Sequence, residues 1–321
     1  MKYFLVLNPG SRAGSSKKKF DKIFRILSSS GIQYDYKITE KLEDAYTFSL
    51  QANSEGYDAV IAVGGDGTIN NVINGFFDQH GKKISKAIFG VIYTGTSPDF
   101  CKSYKIPLKL EDAINTIVNA KKQKIKIGEI KFCKVINTAA VSLPEVQDSM
   151  VKHFACCVNI GLGASLARRA NSGIRKYLGD FLGTFYSLIA TIIRYKPADY
   201  ICKYNGQERS IQRCFNLSIG ITPLIASGIK VPIQLDFANQ FYLMGACNLN
   251  WLNIAGVFKK IYSGTPFKND RSLWIDYTGN IEISNNIKNP DIEFDGDPAG
   301  FLPCSVYFAQ DDLDVFVATK S

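Results

Sequence analysis

The residues best suited to chemistry in this 321-residue sequence are Gly64-Gly65-Asp66-Gly67-Thr68. Three glycines in four positions allow a left-handed backbone and leave no Cβ between the main chain and a ligand. The amides of such a turn, with the amino end of a following helix, form an anion site suited to phosphate. Asp66 would repel bare phosphate, but it can hold Mg2+ or its water shell against phosphate oxygens. Thr68 can add a hydroxyl donor or cap the helix. The plain alternative is a tight strand-to-helix turn with Asp66 as the cap. The pentad lacks the lysine of a Walker loop and the spacing of a Rossmann G-x-G-x-x-G. A second acidic feature is Asp295-Gly296-Asp297. An exposed carboxylate there, with its usual pKa of about 4, is ionised at neutral pH and can accept a proton from an attacking hydroxyl. Its plain alternative is a solvated turn. The two histidines, His80 and His153, stand near no nucleophile pattern and read as surface polar residues.

The elements that must hold these residues follow two rhythms. Over the first 120 residues strands and helices alternate. Strands are expected at 3–7, 34–38, 58–63 and 88–93, with helices around Phe20–Leu27, Ala45–Ala52, Ile69–Phe76 and Ala113–Val118. Strands that are apolar throughout and alternate with helices predict a parallel sheet covered on both faces. Beyond residue 121, Ile125 and Ile127 alternate with lysines, and Ile130 and Phe132 resume after Gly128 on a shifted phase, as a bulge would produce. Asn205-Gly206 between apolar runs predicts a hairpin. Further strands are expected at 154–160, 215–219, 241–245, 273–277, 281–284, 291–294, 305–308 and 313–318. Helical insertions are expected near 178–193 and 251–262. This is an α/β plus β organisation: an N-terminal parallel-sheet α/β domain over 1–122 and a mainly antiparallel β-sandwich over 123–304, with residues 305–321 expected to pack back on the first domain.

Composition narrows the partners. Hydrophobic residues make up 46% of the chain and charged residues 21%, enough to fill sizeable cores. The longest apolar stretch, 181–193, is too short and too interrupted for a membrane span. The opening residues reach Asn8-Pro9 too soon for a signal-peptide core. Eight cysteines with no C-x-x-C pair read as reduced core residues, and a zinc site is not expected. The net charge of +9 favours an anionic partner: nucleotide, acidic lipid headgroup or nucleic acid. No RNA-binding signature appears, which makes nucleic acid the weakest of these. The basic runs at Lys17–Lys19, Lys121-Lys122, Arg168-Arg169 and Lys259-Lys260 each read by themselves as solvated faces or turns.

Residues 63–70, Val-Gly-Gly-Asp-Gly-Thr-Ile-Asn, resemble the hallmark of the diacylglycerol kinase catalytic-domain superfamily, which includes sphingosine, ceramide and bacterial lipid kinases. NAD kinase and phosphofructokinase share the Gly-Gly-Asp-Gly core. Other segments keep the family's order. Asn8-Pro9 with Ser11 and Gly14 resembles its opening turn, and Thr39 stands where a threonine touches nucleotide. Gly95-Thr96-Ser97-Pro98-Asp99-Phe100 is similar to its Gly-Thr-x-Asn-Asp-Phe. Residues 159–163 and 177–179 look like second-domain segments, and Asp295-Gly296-Asp297 resembles a late Asp-Gly-Glu. The resemblance implies a nucleotide-binding domain of the NAD kinase and phosphofructokinase type, a β-sandwich, and a cleft between them using ATP and Mg2+. It implies a cofactor set of Asn8, Pro9, Ser11, Thr39, Gly64, Gly65, Asp66, Gly67, Thr68, Asn70, Asn71, Gly95 and Thr96. It places lipid substrate at Asp99 and Phe100, metal at Asp66, and catalysis at Asp297, Asp295 and Asp66.

The chain departs from that pattern at several positions. Asn71 replaces a glutamate, Pro98 an asparagine, and Asp297 a glutamate; Asp236 lies where an Asp-Gly is expected. The expectation is an ATP-dependent lipid kinase acting on a diacylglycerol-like lipid at a membrane surface, cytoplasmic or peripheral to the inner membrane. The alternatives are an NAD kinase-like enzyme, against which the Gly95–Phe100 and Asp295–Asp297 segments speak, or an inactive nucleotide- or lipid-binding homologue. An apolar acceptor cavity would be lined by 181–193 and 224–229. Neither the lipid nor the oligomeric state is legible in the sequence.

Overall fold

A computed structural model describes residues 1–11, 15–119, 121–133, 149–165, 195–225, 229–233, 239–250, 252–285, 291–295 and 297–318. The helix expected near 178–193, the 177–179 segment, Gly14 and Asp236 lie outside the described residues.

The first sheet contains β1 (Lys2–Leu7), β2 (Gln33–Ile38), β3 (Ala59–Gly64), β4 (Ile88–Tyr93), β5 (Lys122–Ile125) and β18 (Leu313–Phe316), in the order β2-β1-β3-β4-β18-β5. The first five of these in spatial order run parallel, and β5 pairs antiparallel with β18 at the edge. Alternating side chains of β1 divide between two cores. Tyr3, Leu5 and Leu7 pack with α1 (Phe20–Ser29) and α5 (Leu110–Val118). Phe4 and Val6 pack with α2 (Asp44–Ser54) and α3 (Asp66–Asn74). A strand buried on both faces has no polar side, which is why β3 and β4 are apolar from end to end. The chain passes from β1 to β2 on one side, then back over β1 to β3 on the other. The switch in direction therefore falls between β1 and β3, where α/β sheets open a crevice at their carboxyl ends.

The second sheet is antiparallel and closes on itself. β8 (Cys157–Gly161), β10 (Gln207–Gly220), β9 (Ala198–Tyr204), β15 (Ile281–Ser284), β17 (Asp297–Phe308) and β16 (Asp291–Phe294) pair in a ring. β13 (Phe241–Cys247) and β14 (Leu273–Thr278) extend it from β10, and β6 (Gly128–Cys133) and β7 (Ser149–Phe154) from β17. The antiparallel β domain is thus barrel-like where two facing sheets were expected. Closure depends on β10, which pairs with β9 through its first half and with β8 and β13 through its second. Register shifts around Cys214, with Arg213 at φ 49°, bend the strand between these pairings. The expected hairpin at Asn205-Gly206 is present, both residues at positive φ.

Two local readings are corrected. Residues 122–133 are not one bulged strand but β5 and β6, in different sheets. The chain crosses between sheets at 126–127, and alternation alone cannot say which sheet a strand joins. Residues 154–160 are likewise two strands, broken at Ala155-Cys156. The connection between the sheets is tight at this break. The Asn74 amide donates to the His153 carbonyl and accepts from the His153 amide, each at 2.9 Å, while the Tyr104 hydroxyl donates to the Ala155 carbonyl at 2.8 Å. His153, expected at the surface, is buried with its ring stacked 3.8 Å from that of Phe77. All eight cysteines are buried and free of disulfides.

Candidate active site

The loops after β1, β3 and β4 meet at the carboxyl edge of the first sheet. The Asn8 amide donates to the Val63 carbonyl at 2.9 Å, and the Asn8 side chain bonds twice, donating to Thr68 Oγ1 at 2.8 Å and accepting from Gly10 N at 2.9 Å. Thr94 N donates to the Gly64 carbonyl, and Thr39 N to the Leu7 carbonyl, both at 2.9 Å. Thr68 is buried, so its hydroxyl ties the β1 turn to the glycine loop instead of standing free for a ligand. It does not cap α3, and neither does Asp66. The cap position is Gly65, without a side-chain bond, so the first-turn amides of α3 keep no intrahelical partners.

The glycines serve close approach, not a left-handed turn. Gly64, Gly65 and Gly67 are absent from the residues with positive φ, and Gly65 has φ −97°. A Cβ on Gly64 would meet Thr68 Oγ1 at 2.3 Å. Gly65 and Gly95 face each other: a Cβ on Gly95 would lie 2.6 Å from Gly65 Cα and 2.6 Å from the Tyr93 hydroxyl. A Cβ on Gly65 would lie at a more tolerable 3.3 Å from Gly95 Cα. Gly95→Ala should therefore push the two loops apart and destabilise the fold by about 1–3 kcal/mol, the scale of overpacking. Gly65→Ala should do less. Thermal unfolding of the two variants checks the order, and equal losses of stability would count against this packing.

Asp66 is held by Tyr93, whose hydroxyl donates to Oδ2 at 2.9 Å. Ser97 N donates in turn to that hydroxyl, linking the 95–97 loop to the carboxylate. Burial pushes the Asp66 carboxyl up to about 7, against the downward pull of the Tyr93 bond, and the charges of Asp99 and Asp295 push it the same way. Asp99 opens the short helix α4 (Asp99–Ser103). Asp295 comes from the turn between β16 and β17. Carboxylates from both sheets thus act on one another across the junction.

Asp295 differs most from expectation. It is not a solvated turn residue. Its Oδ2 accepts from Ala155 N at 2.8 Å, and its Oδ1 accepts from Cys156 N and Cys157 N at 2.9 Å each. Burial raises its carboxyl to about 6, although these three amides favour the charged form. The amides that bond Asp295 are those of the break between β7 and β8, so a side chain 140 residues away ends that strand. Asp295 sits at φ 48°, with Phe294 and Asp297 paired across it, as in an Asp-Gly hairpin turn. Asp297 begins β17 directly beyond that turn; its side chain and Gly296 lie outside the described residues.

The remaining expected residues fall in different places. Pro9 and Ser11 lie in the loop after β1, and a Cβ on Gly65 would come within 3.4 Å of Ser11 Oγ. Thr96 is exposed at the loop edge. Asn71 donates to the Gly67 carbonyl at 2.9 Å, inside α3. Asn70 is buried and accepts from Asn74 Nδ2 at 3.1 Å, which turns it toward the seam between the sheets. Phe100, expected at substrate, is a core residue 2% exposed, edge-on to Phe89 and packed on Tyr104. Sequence reasoning missed Tyr93, Ser16 and Thr94; the buried Ser16 hydroxyl donates to Thr94 Oγ1 at 2.8 Å behind the loop. It also missed the buried cluster in which Asn159 bonds Glu293 and accepts from Ser218 at 2.5 Å. A glutamate in the otherwise apolar Ile292-Glu293-Phe294 was its only signal.

A parallel α/β sheet with a glycine loop at its switch point, joined twice to an antiparallel barrel, defines an α/β plus β architecture. Residues 2–130 match the diacylglycerol kinase catalytic domain. The sequence is 32% identical to a diacylglycerol kinase of Staphylococcus saprophyticus over 136 residues, 42% of this chain and 43% of that protein. It is 33% identical to the Staphylococcus aureus (strain MRSA252) diacylglycerol kinase over the same share of the chain and 42% of the relative. The aligned segment thus spans less than half the length of these relatives. The crystal structure of a diacylglycerol kinase from Bacillus anthracis str. Sterne superposes with a TM-score of 0.68 at 17% identity, covering 99% of this chain and 97% of that one, a likeness of fold. The family match is thus confined to residues 2–130, and the likeness over the rest of the chain is one of fold.

Proposed function

We propose that this chain is an ATP-dependent lipid kinase that transfers the γ-phosphate to a hydroxyl of a diacylglycerol-like lipid between the two sheets. The observation that carries this reading is Asp66: a carboxylate on the glycine loop, oriented by Tyr93 and raised to about 7 among the carboxylates of both domains. A site with that much uncompensated negative charge suits a cation. No group of three or more ligating side chains converges among the described residues. Asp66 as a single carboxylate beside the phosphate seat fits Mg2+, which keeps water and phosphate oxygens and needs only one or two carboxylates. Asp66 would hold it, and it would supply neutralisation of charge on the phosphates.

The chain's own groups do the rest. The first-turn amides of α3, without intrahelical partners, and the closely packed Gly65 and Gly95 seat the phosphates. Asn8, Pro9, Ser11, Thr39 and Thr96 border that seat, Asn8 and Thr39 by fixing the loop backbone. Asp297 accepts the proton of the lipid hydroxyl as its oxygen bonds to phosphorus and the bond to the β-phosphate oxygen breaks. Asp295 is a positioning residue, locking the turn that presents Asp297 to the 155–157 segment. Asp99 faces the same junction from the first domain and is assigned to the acceptor. Labelled ATP with mixed micelles of 1,2-diacylglycerol, monoacylglycerol or sphingosine tests this, with NAD as a competing acceptor. Label in lipid and none in NAD is expected; label in NAD, or in no acceptor at all, overturns the reading.

A further inference from the structure

We propose that the outward face of α6 (Ile254–Ser263) is a docking surface for an anionic lipid bilayer. α6 packs through Val257 and Ile261 against the outer layer of the barrel. On its other side Ala255, Lys259 and Tyr262 follow at intervals of four and three, hence on one face, and all are exposed. Leu252, just before the helix, is 70% exposed, and Tyr262 is 54% exposed. These are large side chains to leave in water, and their position is built in. Asn250 Oδ1 accepts from Leu252 N and Asn253 N at 3.0 Å each, while Asn253 Oδ1 accepts from Asn250 N at 2.8 Å. That closed turn holds Leu252 outward. Phe258 stacks behind Tyr262 with centroids 6.1 Å apart.

Charge selects the occupant. No aspartate or glutamate occurs between residues 237 and 269, whereas Lys259, Lys260 and Lys268 do, in a chain of net charge +9. Lys260 turns to Asp270 at 2.6 Å, but Lys259 makes no ion pair among the described residues. Leucine and tyrosine flanking Lys259, in a segment without acidic residues, match the headgroup boundary of an anionic bilayer. No helix among the described residues is long and apolar enough to cross a membrane, so contact through this face would be superficial.

The surface also has a physical route to the junction. α6 packs on β12 (Ile229–Lys230), which pairs with β11 (Leu224–Ile225), and β11 packs on α4, which carries Asp99. Docking α6 would thus bring the acceptor side of the site to the bilayer, a consequence that rests on the lipid-kinase reading, though the binding itself does not.

The test is co-sedimentation of the full chain with vesicles of phosphatidylcholine, or of phosphatidylcholine mixed with phosphatidylglycerol, without ATP. Wild type should bind the mixed vesicles and bind the neutral ones weakly. Leu252→Ser/Lys259→Glu/Tyr262→Ser should weaken that binding about tenfold or more, from two apolar contacts and one charge. Lys124→Glu, which places the same charge change on exposed β5, should not. Unchanged thermal unfolding of the triple variant excludes misfolding as the cause. The proposal is overturned if wild type ignores both vesicles, if the triple variant binds as wild type does, or if Lys124→Glu loses as much. Vesicle binding by a protein that phosphorylates no lipid would uphold the surface and sink only the kinase reading.

Discussion

Asp66→Asn is expected to abolish lipid phosphorylation and to make the ligand-free protein more stable. The two effects share one cause. In the folded chain burial and the charges of Asp99 and Asp295 raise the Asp66 carboxyl to about 7, while an unfolded chain leaves it near 3.9. Between those values the folded state binds the extra proton, so stability is greatest at low pH and is lost as pH rises from about 4 through about 7. At neutral pH the Asp66 burden is on the order of 2–4 kcal/mol. Asparagine cannot ionise, yet its carbonyl can still accept the Tyr93 hydroxyl. Loss of the charged oxygen should cost several kcal/mol of transition-state stabilisation. Thermal unfolding of the ligand-free variant from pH 4 to pH 8 should show a flatter profile and a higher midpoint at pH 7.5. A variant that is inactive but less stable than wild type at pH 7.5 would show that Asp66 helps hold the fold. One that keeps substantial turnover would remove it from the site.

The second large effect separates the two aspartates of the β16–β17 turn. Asp297→Asn should lower turnover by on the order of 10²–10⁴, the usual range for a general base, with ATP affinity almost unchanged because the glycine loop belongs to the other domain. Asp297→Glu should retain much of the activity. Asp295→Asn should behave differently. One side-chain oxygen becomes an NH2 group facing backbone N–H donors, so at least one amide of the 155–157 break loses its acceptor. That should cost on the order of 1–3 kcal/mol of stability. Activity and unfolding measured on both variants give a crossed pattern: Asp297→Asn stable and slow, Asp295→Asn unstable. A stable, inactive Asp295→Asn beside an active Asp297→Asn would reverse the two roles.

Much of the first domain was legible because its signals are local. A buried parallel strand is apolar along its whole length, and an amphipathic helix repeats every 3.6 residues. Both therefore show in short windows such as 59–64 and 66–74. The short helix α4 escaped, since five residues are too few to show a period. The glycine pentad was visible as a possible anion site for the same local reason. Its mechanics were not, because whether Gly65 needs a left-handed backbone or the nearness of Gly95 depends on a loop 30 residues away. Tyr93, read as the last residue of a strand, became a partner of Asp66 only once β3 and β4 lay side by side.

Position in space decided the rest. Spacing left Asp-Gly-Asp between a solvated turn and a proton acceptor until its first carboxylate met three amides at the start of the neighbouring strand, which also divided one expected strand into β7 and β8. Phe100 carried a suggestive motif, but packing against Phe89 and Tyr104 placed it in the core. Whether the antiparallel strands formed two faces or a ring was likewise undetermined, since both alternate with period two; the bend in β10 near Arg213 chose the ring. The longer elements of the first domain, its parallel sheet and the glycine loop could be read from the residues alone, because those follow from backbone sterics and the periodicity of burial. Only the tertiary structure bound the Asp295 carboxylate to three amides and set Tyr93 against Asp66, because hydrogen bonds and desolvation depend on neighbours that the chain supplies from anywhere along its length.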